Sequence, residues 1–274
     1  MNVGESKGGP VYKGLGKVPD RALFLFAALI YVFLYAPILV LVFFSFNSSK
    51  STQVWTGFSL EWYGELIRDQ TVLDAFRTSM IVGVSATAIA TVIGTLTALA
   101  LTRHSFRGKS TADSAIYAAT VMPEIVVGVS LLIFFVAIQF TLGITTIVIA
   151  HVAFTISFVT IVVRARLSGM DRSIEEAAQD LGANPVQTFL RVTLPLILPG
   201  VMAGALLAFT LSLDDFVITF FVSGVGSSTL PLKIYSMIKF GVSPVINALS
   251  TVMLVATMVL IFGGSRFFMR KENT

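Results

Sequence analysis

The stretch 173–195, SIEEAAQDLGANPVQTFLRVTLP, decides the fold because it interrupts long apolar runs with a short polar segment. Ser173, followed three residues later by Glu176, forms the sequence pattern of a capping box and predicts that a helix begins there. Gly182 suits the left-handed conformation that ends a helix, and Asn184 before a proline predicts the start of a second helix. The segment therefore predicts a hairpin of two short helices.

The first of these helices carries one narrow apolar stripe at the spacing i, i+3, i+4, i+7. The stripe consists of Ile174, Ala177, Ala178 and Leu181. A helix of about nine residues is too short to be stable alone in water, so its stripe must be buried. The helix ends of the same chain could cover it, but the small alanines favour close docking into a groove of another protein.

The composition indicates an integral membrane protein. The 274 residues are 55% apolar and 12% charged, with a formal charge of +4 and a mean hydropathy of +0.87, far more apolar than a soluble domain. The absence of cysteine excludes disulfides, Cys-ligated zinc, iron–sulfur clusters and thiol nucleophiles. Two histidines favour no metal site, and no basic cluster interleaved with aromatics predicts nucleic-acid binding.

Six apolar runs are long enough to cross a bilayer, which takes about 20 helical residues. These predicted spans are 21–46, 76–102, 112–140, 144–163, 196–222 and 246–268. The fold class is therefore all-α, with six transmembrane helices. The predicted parts of the chain are a flexible N-terminal tail at 1–20, one transmembrane domain at 21–268 with the hairpin at about 172–195, and a C-terminal tail at 269–274.

The distribution of lysine and arginine predicts the orientation. Most of these residues fall in the tails and in the segments 103–111 and 164–195, and few fall on the opposite side. Because cytoplasmic loops of membrane proteins are enriched in Lys and Arg, both termini and the hairpin are predicted to be cytoplasmic.

The hairpin resembles the cytoplasmic loop of ABC importer permeases, whose pattern is E-A-A, three residues, G, nine residues, I, one residue, L-P. Val192 stands where isoleucine is usual. The resemblance implies a type I, MetI-like architecture in which the hairpin is the coupling helix that sits in a groove of a separate ATPase subunit. The residues that it assigns to ATPase coupling are Glu175, Glu176, Ala177, Ala178, Gly182, Leu194 and Pro195.

The chain itself is predicted not to be an enzyme. RHSFRGKS ends like a phosphate-binding loop, but Arg103 occupies the first glycine position and no strand precedes it. The resemblance therefore implies no cofactor in this chain, with ATP and Mg bound by partner ATPase subunits. An intramembrane enzyme would need a positioned nucleophile and base, which the sequence does not offer. An ATP-independent channel remains an alternative.

Three acids lie within apolar sequence and are candidates for the substrate path. Asp214 and Asp215 lie in AFTLSLDDFVITFFV, and Glu124 lies near the middle of the third predicted span. A charge within the bilayer costs about 2.5 to 3.5 kcal/mol, so it normally faces a wet path or a partner. The acids favour a cationic substrate, which the rings of Phe216 and Phe220 could also bind.

Other interpretations of these residues stay open. Ser and Thr hydroxyls or backbone groups could satisfy Asp214 and Asp215, and the two side chains point about 100° apart on a helix. Pro123 could make Glu124 part of a kink. His151 stands alone in the fourth predicted span, which favours a packed, neutral imidazole over a proton relay, since relays need chains of partners.

A closer resemblance bears on the substrate. SFNSSK, FRGKS, LSLDDFVITFFVSG and LPLKIYSMIKFGVSPVINALST are similar to segments of bacterial spermidine and putrescine importer permeases. The resemblance implies half of a polyamine path in the bacterial inner membrane. The implied partners are a homologous second permease that makes a heterodimer, two ATP-binding cassette ATPases and a periplasmic binding protein. An opine, an amino acid or another organic cation is the alternative cargo.

Overall fold

The computed structural model describes residues 20–50, 54–239 and 243–272. Residues 1–19, which belong to the predicted N-terminal tail, lie outside the described residues. The described helices are α1 (Asp20–Phe44), α2 (Glu61–Arg68), α3 (Gln70–Arg103), α4 (Lys109–Val121), α5 (Glu124–Ala137), α6 (Ile144–Ser168), α7 (Ser173–Asp180), α8 (Pro185–Thr188), a π-helical turn (Phe189–Thr193), α9 (Leu194–Asp214), α10 (Val217–Val222), α11 (Leu230–Lys239) and α12 (Pro244–Glu272).

The predicted all-α fold is confirmed, whereas two of the six spans are not single helices. Four described helices are long and apolar enough to cross a membrane, and the bent pair α4–α5 raises the number to five if it is one span. The prediction of one helix over 112–140 is wrong, because α4 and α5 meet at 111°. The prediction of one helix over 196–222 is also wrong, because α9 ends at Asp214 and α10 begins at Val217.

Pro123 explains the break between α4 and α5. Proline lacks an N–H and disfavours the helical conformation of the residue before it. Met122 accordingly has φ −68° and ψ 130°, an extended conformation, and ends α4. The new helix begins directly after the proline, which places Glu124 in its first turn.

The core is a packed bundle of α3, α6 and α9. One cluster in this bundle, the Ile197 cluster, consists of aliphatic side chains and alanines: Ala90, Ala98, Val159, Val163, Leu167, Ile197 and Ala208. A Cβ on Gly94 would lie 2.8 Å from the Val159 side chain, so only glycine lets α3 and α6 approach this closely. By contrast, no residue in the most apolar part of α1 is buried inside the chain.

The short helix α2 covers one end of this bundle. Its Trp62 and Leu66 are buried beside Val72, Leu230 and Leu249. The indole N–H of Trp62 donates to the carbonyl of Asn47 at 2.6 Å, which satisfies the polar atom of a buried ring. The cluster ties the segment between α1 and α3 to α11 and α12.

Pro195 also explains the π-helical turn before α9. A proline within a helix cannot donate to the carbonyl four residues earlier, and its ring clashes with that carbonyl. The turn widens here, and the N–H of Leu194 donates to the carbonyl of Phe189, five residues back. As a result α8 continues directly into α9, so the second hairpin helix is joined to a membrane-spanning helix.

Candidate functional site

The turn of the hairpin has the predicted geometry. Gly182 has a φ of +90°, in the left-handed region that favours glycine. The side chain of Asn184 accepts a hydrogen bond from the N–H of Gln187 at 2.9 Å, and Pro185 is the first residue of α8. The Gln187 side chain accepts in return from the Asn184 N–H at 3.1 Å, so the capping box lies at the start of α8.

The capping box predicted at Ser173 is wrong. Asp171 competes successfully for this position, because its Oδ1 accepts the N–H of Ser173 at 2.9 Å. This backbone hydrogen bond lowers the pKa of Asp171. Glu176 instead forms an exposed ion pair with Arg172, at 3.2 Å and one helical turn away.

The apolar stripe of α7 is left uncovered by the described part of the chain. Leu181 is 90% exposed, and Ile174 and Ala177 are also exposed. Ala178 is half-buried. Since an amphipathic helix of this length gains its stability by packing, the exposed stripe favours docking against another protein.

The two ends of the coupling motif lie in different environments. Leu194 is half-buried and packs on the Ile197 cluster, and Pro195 is exposed at the start of α9. Glu175, which the resemblance placed with the coupling residues, has its side chain turned inward and buried. The structure therefore groups Glu176, Ala177 and Gly182 at the exposed hairpin and separates Glu175 from them.

The break between α9 and α10 separates the two aspartates. Asp215 is buried, and its carboxylate accepts the N–H of Ile218 at 3.2 Å and the N–H and hydroxyl of Thr219 at 2.8 and 2.7 Å. It thereby caps α10. Of the alternatives left open by the sequence, the structure supports satisfaction by hydroxyl and backbone groups for Asp215. The adjacent Asp214 is exposed.

His151 is buried as predicted, but the prediction that it stands alone is wrong. Its Nε2 lies 3.1 Å from Oδ2 of Asp215 and 2.9 Å from Oγ1 of Thr219, and its Nδ1 lies 2.7 Å from Oγ of Ser212. The Asp215 carboxylate and the Thr219 hydroxyl thus lie on one side of the ring and the serine hydroxyl on the other, so both ring nitrogens have hydrogen-bond partners. The histidine joins α6 to the break.

Asp214 lies at the wall of a cavity of about 510 Å³. The cavity is lined by Asp214, Phe216, Pro231, Ile234, Ser250, Met253, Leu254, Thr257 and Met258. The ring of Phe216 lies 4.5 Å from that of Tyr235 and 5.6 Å from that of Phe220, centroid to centroid. This arrangement presents a carboxylate and aromatic faces, which together suit an organic cation.

Glu124 is exposed at the start of α5 and lies within electrostatic range of both aspartates. Helices α5 and α10 pack closely. A Cβ added to Gly128 of α5 would lie 2.9 Å from Cδ2 of Phe221 in α10. The breaks at Pro123 and at Asp215 therefore lie side by side. Three predicted path residues, the two exposed acids and Phe216, are thus brought to one region.

Two sequence signals carried information that periodicity did not reveal. A polar residue such as His151 in an apolar span calls for a partner, and Ser212, Asp215 and Thr219 follow one another at spacings of three and four residues, about one helical turn each. Among the described residues, no group of three His, Asp or Glu side chains is arranged to hold a metal ion.

Comparison with known proteins identifies similar sequences and folds. Residues 90–268 match the family described as binding-protein-dependent transport system inner membrane component. The chain is 47% identical over 239 residues to the putrescine transport system permease protein PotI of Escherichia coli (strain K12), covering 85% of each chain. It is 42% identical over 248 residues to the spermidine/putrescine transport system permease protein PotC of Haemophilus influenzae, covering 90% of this chain and 96% of that one.

Two solved structures share the fold at low sequence identity. A chain of a bacterial ABC transporter that imports the acidic polysaccharide alginate superposes with a TM-score of 0.73 at 16% identity, covering 92% of this chain and 96% of that one. A chain of the MetNI methionine ABC transporter superposes with a TM-score of 0.61 at 18% identity, covering 78% and 99%.

Proposed function

The chain belongs to the family of binding-protein-dependent transport system inner membrane components, and we propose that it forms half of the path by which an ATP-driven importer carries polyamines across the membrane. It is a permease subunit and not an enzyme, because ATP hydrolysis in such importers is performed by separate subunits. The relatives named for putrescine and spermidine support a polyamine as the substrate.

The observation that carries the proposal is the exposed carboxylate of Asp214 beside Phe216 in the cavity. A polyamine is a flexible chain of methylenes with ammonium groups spaced along it. Asp214 and Glu124 supply two separate negative charges for two ammonium groups, and the ring of Phe216, which lines the same cavity as Asp214, can cover the methylenes. A cation on an aromatic face gains about 0.5 to 2 kcal/mol.

One cation already uses these aromatics in the structure. The ammonium Nζ of Lys239 lies over the ring of Tyr235, 4.7 Å from its centroid. Tyr235 in turn contacts Phe216 and Phe220. The aromatic cluster is therefore accessible to an alkylammonium group, the chemical unit that a polyamine repeats.

The exposed hairpin supplies the link to the energy source. In the proposed cycle, closure of the ATPase pair pushes the docked hairpin and opens the permease outward, and the return after hydrolysis releases the substrate inward. We place the termini and the hairpin in the cytoplasm of a bacterial cell. The partners in the proposal are a homologous second permease, two ATPases that bind ATP and Mg, and a periplasmic binding protein.

Uptake of radiolabelled putrescine by the reconstituted complex tests the function. We expect Asp214→Asn to reduce uptake about tenfold or more, because the ammonium group of the substrate loses its charge partner in the cavity. The matched control is Asp74→Asn, which changes an exposed acid outside the cavity. Putrescine uptake at the wild-type rate in Asp214→Asn would contradict the assignment of this acid to the path.

A competition experiment distinguishes a polyamine substrate from an opine or an amino acid. We expect unlabelled putrescine and spermidine to compete with labelled putrescine, and a neutral or anionic amino acid not to compete, because the charged residue that lines the cavity, Asp214, is an acid. Stimulation of ATP hydrolysis by an opine or an amino acid, without stimulation by any polyamine, would assign the path to the alternative cargo.

A further inference from the structure

A buried acid holds the first hairpin helix to the membrane core. The Glu175 side chain is only 11% exposed, and its Oε2 lies 2.9 Å from Nε of Arg103, whose side chain is 14% exposed. Its other oxygen, Oε1, accepts the hydroxyl of Thr193 at 2.7 Å. The Arg103 contact is an ion pair without good hydrogen-bond geometry, since neither Nε nor Nη2 has a well-aligned acceptor among the described residues.

The three residues come from three elements of the fold. Arg103 is the last residue of α3, Glu175 lies in the first turn of α7, and Thr193 ends the π-helical turn that leads into α9. Helices α3 and α9 pack on each other and on α6. One carboxylate therefore joins the hairpin helix to two helices of the core.

The adjacent acid provides a contrast within the same turn. Glu176 and its partner Arg172 are both more than half exposed, and exposed pairs of this kind contribute little to stability. Removing one partner of a buried pair is far more damaging, because it leaves an uncompensated charge away from water. Of the two glutamates, Glu175 is the one that can fix the position of α7.

We propose that Glu175, Arg103 and Thr193 form a clamp that makes α7 move as one body with the inner ends of α3 and α9. The clamp rests on the proposed function, since it supplies the rigid connection through which a docked ATPase displaces the membrane helices. Without the clamp, α7 keeps its exposed docking stripe but can swing on its flanking turns. A displacement of α7 by the docked ATPase then changes only the position of the hairpin and is not transmitted to α9.

Amide hydrogen exchange of the full-length chain in lipid nanodiscs tests the clamp without any substrate. We expect Glu175→Gln and Arg103→Gln to speed exchange in 174–181 about tenfold, because local opening of α7 becomes easier. Glu176→Gln and Arg107→Gln are the matched controls, and exchange in 150–163 reports that the core remains folded. Exchange in α7 within twofold of wild type in both clamp variants would overturn the proposal.

The ratio of putrescine uptake to ATP hydrolysis in the reconstituted complex tests the consequence. We expect Glu175→Gln and Arg103→Gln to lower this ratio about tenfold, a change that partial misfolding cannot produce because it lowers both rates equally. The doubly substituted Arg103→Glu/Glu175→Arg chain should recover at least half of the ratio. An unchanged ratio in both single variants would overturn the clamp.

The two experiments separate the clamp from the function on which it rests. If the wild-type complex failed to take up putrescine while α7 lost protection in the clamp variants, the proposed function would fail and the clamp would stand. If the wild-type complex transported putrescine and the clamp variants exchanged like wild type, the clamp would fail alone.

Discussion

At the break between α9 and α10, and again in α7, the chain carries two adjacent acids in contrasting environments. Asp215 and Glu175 are buried and hydrogen-bonded within the chain, whereas Asp214 and Glu176 are exposed. In each pair the buried acid contacts a helix that is distant in sequence. Asp215 contacts α6 through His151, and Glu175 contacts α3 through Arg103.

The comparison separates acids that fix the backbone from acids that face an incoming partner. Asp215 accepts hydrogen bonds from two backbone N–H groups and one hydroxyl. Because these donors already stabilise its negative charge, Asp215 is a poor candidate for binding a ligand. Asp214 remains directed to the cavity. The regions differ in their counter-groups, since Asp215 is bound by backbone N–H groups, a hydroxyl and an imidazole, whereas Glu175 is bound by a guanidinium and a hydroxyl.

The largest expected effect is on the buried acid of the break. Asp215→Ala leaves two backbone N–H groups of α10 and one ring nitrogen without their acceptor, which should lower the free energy of unfolding by about 3 to 5 kcal/mol. Asp214→Ala should change it by less than about 0.5 kcal/mol, as at other exposed sites. Denaturation by SDS in mixed micelles measures both, and equal losses in the two variants would remove the distinction between them.

The histidine partner should give the next largest effect. His151→Leu keeps a side chain of similar size but removes a hydrogen-bond partner from both Asp215 and Ser212, so we expect a loss of about 2 to 3 kcal/mol. His104→Leu, at an exposed position, serves as the control. A His151→Leu chain as stable as wild type would show that the hydroxyl and backbone donors alone hold the break.

Local chemistry allowed the hairpin turn to be predicted from sequence. The positive φ of Gly182 and the cap formed by Asn184 follow from residues within four positions of each other. The cap at Ser173 was mispredicted because Asp171, two residues earlier, forms a competing local hydrogen bond. Where two short-range motifs compete, the pattern alone does not decide between them.

The buried partners could not be predicted in the same way. Glu175 meets an arginine from the end of α3, and His151 meets an aspartate 64 positions later. Which side chains meet depends on how α3, α6 and α9 pack, information that periodicity within one helix does not contain. The break at Asp215 was missed, and Pro123 indicated a kink but not the 111° bend, because composition marks the apolar residues of a span but not the angle between its two halves.

The hairpin turn and the break between α9 and α10 are held by different interactions. The turn depends on the backbone conformation of Gly182, whereas the break depends on the side-chain hydrogen bonds of Asp215. Gly182→Val puts a β-branched residue at a φ of +90°, which should cost about 1 to 2 kcal/mol. No atom lies within 4 Å of the added Cβ position, so the cost is conformational and not steric contact with a neighbour.

We expect Gly182→Val to retain ATP hydrolysis but to lose most putrescine uptake, because α7 and α8 no longer keep their relative orientation. Gly182→Asn is the matched variant, since asparagine tolerates the left-handed region far better. Wild-type uptake by the valine variant would show that the turn conformation is not required for coupling.

The smallest effect is expected at Asp69, a half-buried counterpart of the Asp215 cap. Asp69 precedes α3 and accepts the hydroxyl of Thr71 at 2.7 Å, together with the N–H groups of Thr71 and Val72. The bond from the Thr71 hydroxyl is the main cause that lowers the pKa of Asp69 below its ordinary value of 3.8. Two caps of similar design therefore lie in different surroundings.

Because the pKa of Asp69 is lowered in the folded chain, its contribution to stability is present above about pH 4 and is lost as the pH falls through the folded value. Asp69→Ala should lower the free energy of unfolding by about 1 kcal/mol at pH 7, and Asp69→Asn should restore most of the loss without the pH dependence. A loss at Asp69 as large as that at Asp215 would mean that the deeper burial of Asp215 adds nothing to the cap, and the contrast between acids in different surroundings would fail.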